Sequence, residues 1–174
     1  SNVTTMGSMF GRCESLSTLR TRFNTQNVKS MNGMFNSCTA LTSNELWYTI
    51  RYFDTSKVES MNGMFEGWKG FGLDISELEL NSVKSMDGMF QNSTVNNIRI
   101  NATGLGSSIN FDYMFSGCSN LQDIYVTGVT DWRSKASSST SMFSGCTNLY
   151  NYSSSNVSIS KAYSNESGGY FTVY

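Results

Sequence analysis

Histidine is absent from this chain of 174 residues, so the side chains left to do chemistry are thirteen carboxylates, four cysteines, ten methionines and the hydroxyls. Losing histidine removes the commonest general base and the commonest neutral metal ligand. Among the carboxylates, Asp74, Glu77 and Glu79 lie close together, while Asp112, Asp123 and Asp131 are spread more widely. Two carboxylates at a fixed separation are the working parts of a glycosidase. Each of these six also has a simpler role on a solvated face or in a turn, and none is assigned a catalytic part. No glycine spacing matches a phosphate-cradling loop. The expectation is a protein that binds rather than catalyses, with no cofactor and no metal.

What must position these groups is a repeat. Met9-Phe10, Met34-Phe35, Met64-Phe65, Met89-Phe90, Met114-Phe115 and Met142-Phe143 mark six units, with successive Phe spacings of 25, 30, 25, 25 and 28. The segment Val28 to Phe35 matches Val58 to Phe65 and Val83 to Phe90 almost letter for letter, and Val3 to Phe10 is a looser copy. Three residues after each Phe stand Cys13, Cys38, Trp68, Ser93, Cys118 and Cys146. Three further on stand Leu16, Leu41, Phe71, Leu121 and Leu149, with Asn96 as the exception. A fixed phase implies a fixed structural role.

Within a unit, Val28, Met31, Phe35 and Cys38 fall at offsets 0, 3, 7 and 10, which predicts one face of a short helix. Asp54-Thr55-Ser56 and Asn24-Thr25 lie just upstream as N-capping side chains. Leu73-Asp74-Ile75, Val95-x-x-Ile98-x-Ile100 and Leu121-x-x-Ile124-x-Val126 then end in period-two alternation, which predicts short strands. One helix and one strand per roughly 25 residues cannot bury an apolar face alone, so neighbouring units must stack.

That stacking gives the sulfur atoms their context. All four cysteines share one phase, so Cys13 and Cys38 are expected as neighbours, as are Cys118 and Cys146. Rungs about 4.8 Å apart fall inside the roughly 4.4 to 6.8 Å that a disulfide tolerates between Cα atoms, so two bridges are permitted. Trp68 and Ser93 in the same phase favour the other reading, a small buried thiol in a bend. The methionines, mostly at two fixed positions, fill gaps between units. Gly33, Gly63 and Gly88 recur two residues before the Phe, where glycine weakens a helix, so close approach of neighbouring units is expected there.

Composition excludes further classes. A formal net charge of −1 with 14% charged residues supplies no basic field for nucleic acid. Apolar runs are too short to span a membrane. The opening Ser1-Asn2-Val3-Thr4 is not a secretory leader, which leaves a removed signal or a larger parent chain open. Six Asn-x-Ser/Thr sequons, at Asn2, Asn92, Asn101, Asn151, Asn156 and Asn165, carry no weight at this Ser and Asn content.

The runs Phe53 to Phe65 and Met114-Phe115-Ser116-Gly117-Cys118-Ser119-Asn120-Leu121 resemble the repeats of BspA-type leucine-rich-repeat bacterial surface proteins. The likeness covers about residues 3 to 149, with repeats four to six divergent. It implies secretion or display on a cell surface and a role in adhesion or recognition, and it carries over no catalytic residue.

Together these point to a right-handed α/β solenoid, with short parallel strands on one face and short helices on the other. Residues 1–149 are expected to form the solenoid and 150–174 a C-terminal cap. If Leu19 and Thr21, Leu73 and Ile75, Ile98 and Ile100, and Ile124 and Val126 point inward, their neighbours face out from the sheet. Those are Arg20, Arg22, Asp74, Ser76, Arg99, Asn101, Tyr125 and Thr127, joined by Thr49 and Arg51 from the inserted second unit. They are the candidate ligand-binding residues, for a host protein or a glycan. A phage fibre tip and a structural spacer are the alternative roles. The first unit, which begins at its Met-Phe half, is expected to continue into or pack on another domain or chain.

Overall fold

In a computed structural model of the chain, residues 2–173 are described; Ser1 and Tyr174, at the ends of two segments considered above, lie outside them. The architecture is mixed α/β. Strands β1 (Gly72–Asp74), β2 (Asn97–Asn101), β3 (Ile109–Asn110), β4 (Asp123–Thr127), β5 (Ala136–Ser138) and β6 (Phe171–Val173) are joined by one α-helix among the described residues, α1 (Ser43–Ile50). All pairings are parallel: β1-β2-β4-β6 form one sheet and β3-β5 a second. Ile98 pairs with Ile124 and Ile100 with Val126, and all four are buried, as the alternation requires.

The Met-Phe segments stack but are not helical, which corrects the expectation of a helix per unit. The N–H groups of Met31, Gly33, Phe35 and Ser37 donate to the carbonyls of Ser60, Asn62, Met64 and Glu66 in the next unit, at 3.0, 2.7, 2.9 and 2.7 Å. The alternate N–H groups of Met34, Asn36 and Cys38 bond back three residues, to Met31, Gly33 and Phe35. The alternating pattern recurs from Met6 through Gly117, so four N–H groups in each unit, such as those of Met31, Gly33, Phe35 and Ser37, bond to the following unit and form files along the stack. Aligned hydrogen bonds polarise one another.

The glycines explain the error. Gly33, Gly63 and Gly88 take φ of +60°, +58° and +59°, and Ser37, Gly67 and Asn92 four residues on take +55°, +66° and +58°. Two left-handed residues per unit turn the chain every few residues, which a helix cannot do. These glycines thus serve backbone conformation, not the close approach of units expected from the sequence. Nor do the upstream groups cap helices. Thr25 Oγ1 accepts from Asp54 N at 2.8 Å, and Thr55 Oγ1 accepts from Glu79 N at 2.7 Å, each tying one unit to the next.

The core lies between the turns and the sheet. Phe10, Phe35, Phe65, Phe90, Phe115 and Phe143 form one column, with centroids 5.5 to 6.0 Å apart and rings within 17° of parallel. Burying each phenyl ring contributes about 1.5–3 kcal/mol. The cysteine phase ties units together: Cys38, Cys118 and Cys146 donate from Sγ to the carbonyls of Phe10, Phe90 and Phe115 at 3.0, 2.9 and 3.0 Å. All four cysteines are free thiols. Burial pushes Cys38 and Cys118 up to about 11 and Cys146 higher still, so they stay protonated.

One position leaves its phase. Phe71 is 79% exposed, because Trp68 fills the space instead, donating from Nε1 to Leu41 O at 2.8 Å. The indole lies so tightly over Gly70 that a Cβ there would meet it at 2.0 Å. At the C-terminal end, Trp132 stacks on Phe111 at 5.3 Å and meets Phe171 edge-on at 4.7 Å, while Tyr170 covers Phe143 at 5.1 Å.

Candidate functional site

The outward side of the sheet begins as alternation dictates. Register places Asp74, Arg99, Tyr125 and Thr172 in one row across β1, β2, β4 and β6, and Gly72, Asn97 and Asp123 in the row beside it. Asn101 pairs with Thr127 in a third, and Ser76 shares a groove with Asn101. The Arg99 guanidinium lies 4.9 Å from the centre of the Tyr125 ring.

Beside β1 lies α1. Thr42 caps it, its Oγ1 accepting from Glu45 N at 3.3 Å. Thr42-x-x-Glu45 is a capping-box spacing, yet Glu45 reaches to the first unit instead and accepts from Arg20 at 2.9 Å and Leu19 N at 3.4 Å. That hydrogen bond from Arg20 holds the Glu45 carboxyl below its ordinary range. The helix buries Leu46, Thr49 and Ile50. Its other side carries Trp47, Tyr48 and, past its end, Arg51 and Tyr52.

On that side the guanidinium of Arg51 sits 4.6, 4.7 and 4.6 Å from the ring centres of Trp47, Tyr48 and Tyr52. Arg51 also donates to the Tyr52 hydroxyl, which lowers the phenol from its ordinary range. Arg22 stacks on Tyr52 at 4.2 Å, and Arg20 lies 5.9 Å from Tyr48. The negative charge of each ring face attracts the guanidinium placed over it. Trp47 then meets the sheet. It lines a groove of about 270 Å³ together with Asn44 of α1 and Gly72, Asp74, Asn97 and Arg99.

The structure therefore gathers Arg20, Arg22 and Arg51 around Tyr48 and Tyr52, and Asp74, Ser76, Arg99, Asn101, Tyr125 and Thr127 on the sheet, with the Trp47 groove at the junction. Two expectations fail. Thr49 does not face out: it is 1% exposed, and its hydroxyl bonds to the carbonyls of Leu19 and Glu45. Thr21, expected inside, is exposed, and Leu19 is only half-buried, because the first unit forms no strand to impose alternation. Sequence reasoning also left Asn44, Trp47, Tyr48, Tyr52 and Asn97 out of the site. The signal was present in Tyr48 and Tyr52, four apart and opposite Leu46 and Ile50, which is the outer stripe of an amphipathic helix.

The widely spaced carboxylates are engaged in structure. Asp112 accepts from Ser138 at 2.6 Å, Asp123 from Thr172 at 3.1 Å, and Asp131 from Arg133 at 2.6 Å. Asp74 Oδ1 accepts from Ser76 N and Oγ at 2.9 and 2.6 Å. Among the described residues, no three of Cys, Asp and Glu converge to hold a metal ion, and no helix is long and apolar enough to cross a membrane.

A family model described as "Mycoplasma protein of unknown function, DUF285" matches residues 1–102 and again residues 42–161. A match in two overlapping frames is what a repeated sequence produces. No curated protein and no solved structure matches the chain.

Proposed function

The chain belongs to the DUF285 family, and from that premise we propose that it is a non-enzymatic recognition module of a bacterial surface or secreted protein. Its ligand is a host protein or glycan. The module is a right-handed solenoid of BspA-type leucine-rich-like repeats over residues 1–149, closed by a cap over 150–174. The stacked Met-Phe turns and the parallel sheet support the solenoid, and Tyr170 and Phe171 packed on Phe143 support the cap.

One observation carries the recognition reading. Arg22, Arg51 and Arg99 share a single surface with Trp47, Tyr52 and Tyr125, paired ring to guanidinium. Aromatic and arginine side chains dominate binding hot spots. The fold does not need them there, since the inward side chains of the same elements supply the core. Their mutual stacking fixes them before a ligand arrives, which lowers the entropy lost on binding.

The test is a screen of the chain against extracellular-matrix glycoproteins and an array of glycans, followed by hydrogen exchange on the complex of the tightest hit. Added protection should fall on α1, β1, β2 and β4. Protection confined to the Met-Phe turns or to residues 150–173 would place binding elsewhere and overturn the assignment.

A further inference from the structure

The Trp47 groove has a chemistry of its own, and its description rests on the recognition reading above. Three of its features point the same way. First, Trp47 is half-exposed on a helix whose burial is completed by Leu46, Thr49 and Ile50, and its ring is held by Arg51 at 4.6 Å. It is a fixed aromatic platform with no core role. Second, the facing wall mixes acceptors and donors: Asp74, whose Oδ1 is already fixed by Ser76, the amides of Asn44 and Asn97, and the Arg99 guanidinium. Third, Gly72 keeps the floor open, since a Cβ there would stand 2.8 Å from Asn97 Oδ1.

An aromatic plane beside clustered carboxylate and amide groups matches a ligand with one face of C–H bonds and a rim of hydroxyls that both donate and accept. That ligand is a sugar ring. Asp74 and Arg99 balance in the lining, and the Arg51 guanidinium beside Trp47 feels the opposing charge of Glu77, so the groove has no strong net charge to favour a sulfated or sialylated residue. A volume of about 270 Å³ is at the small end of ligand sites and suits one or two rings. We propose that this groove binds a neutral pyranose, stacked on Trp47 with its vicinal hydroxyls held by Asp74 and Asn97.

The experiment titrates the whole chain with the methyl glycosides of glucose, galactose, mannose and N-acetylglucosamine, following the indole N–H signals by NMR. Trp68 and Trp132 are fully buried and serve as internal references. At least one glycoside should shift the Trp47 signal saturably, leaving the other two unmoved. Gly72→Ala, which closes the floor, and Asp74→Asn should each weaken that binding by roughly tenfold or more, as loss of a hot-spot contact does. Circular dichroism and thermal melting check that both variants fold. No saturable shift at Trp47 with any of the four, or equal affinity in a folded Gly72→Ala variant, overturns the sugar assignment. In that event a protein ligand whose exchange footprint still covers β2 and β4 would leave the broader recognition reading standing. Loss of both would remove it too.

Discussion

The two halves of each unit behave oppositely. The Met-Phe half repeats almost unchanged and spends its side chains on stacking: Met34, Phe35, Met64, Phe65, Met89 and Phe90 are all fully buried. The other half varies from unit to unit. It is irregular in the first, a helix in the second, and a strand in the third, fourth and fifth. Its outward side chains stack on one another, not on the core. Packing explains the contrast, since in both halves the backbone bonds join unit to unit. In the turns of units two to five the Met and Phe side chains are all buried, so their identity is constrained by the column. On the sheet, alternation turns every second side chain outward and releases it from packing.

The largest expected effect lies in the column. Phe90→Ala, between Phe65 and Phe115, should cost about 3–5 kcal/mol, measured by urea unfolding. Phe10→Ala should cost clearly less, because Phe10 stacks on Phe35 on one side only and is half-buried. Equal losses at the two sites would show that the column does not act as a stack.

Next comes backbone conformation. Gly63→Ala puts a side chain at φ +58°, where an L-residue loses about 1–2 kcal/mol. A loss that small but reproducible would separate a conformational requirement from a steric one, since the nearest atom to an added Cβ is the movable Glu66 carboxylate at 3.1 Å.

These glycines also show what was legible in the sequence. The repeat phase, the buried Phe column, the strands near residues 73, 98 and 124 and the inward alternation all follow from spacing alone. The Met-Phe helix did not hold, because offsets 0, 3, 7 and 10 fit a helix and also a chain of turns closed by bonds three residues back. Only the recurrent glycine distinguishes the two. In the site, Arg99 and Tyr125 were accessible from strand alternation. Trp47 was not, because the second unit forms a helix, which presents a different set of residues from the alternation that picks out Thr49 and Arg51.

A smaller effect should appear at Asp87, which takes the place of Asn32 and Asn62 in the preceding units. Burial raises its pKa, and the neighbouring Asp112 charge adds to this. Asp112 itself is partly desolvated, but hydrogen bonds from Ser138 and Thr140 outweigh that and keep it ionised. A carboxyl whose folded pKa is raised contributes stability below its unfolded value and loses it as pH rises through the folded value. At pH 7 the ionised Asp87 therefore opposes folding. Asp87→Asn should stabilise the chain by about 0.5 kcal/mol at neutral pH, as a consensus change does, and the gain should vanish near pH 3. Thermal melts at the two pH values check both the sign and its disappearance.

The smallest expected change in stability per residue belongs to the variant that matters most for function. Arg22→Ala, Arg99→Ala and Tyr125→Ala combined remove outward side chains from three units without touching the column. Each should alter stability by less than about 0.5 kcal/mol. The decisive measurement is the affinity of this triple variant for whatever ligand the parent chain captures in the screen, taken beside its urea midpoint. Division of labour between the two halves predicts that binding is lost while the midpoint barely moves. Binding retained at parental affinity, or a midpoint that collapses with it, would contradict the account.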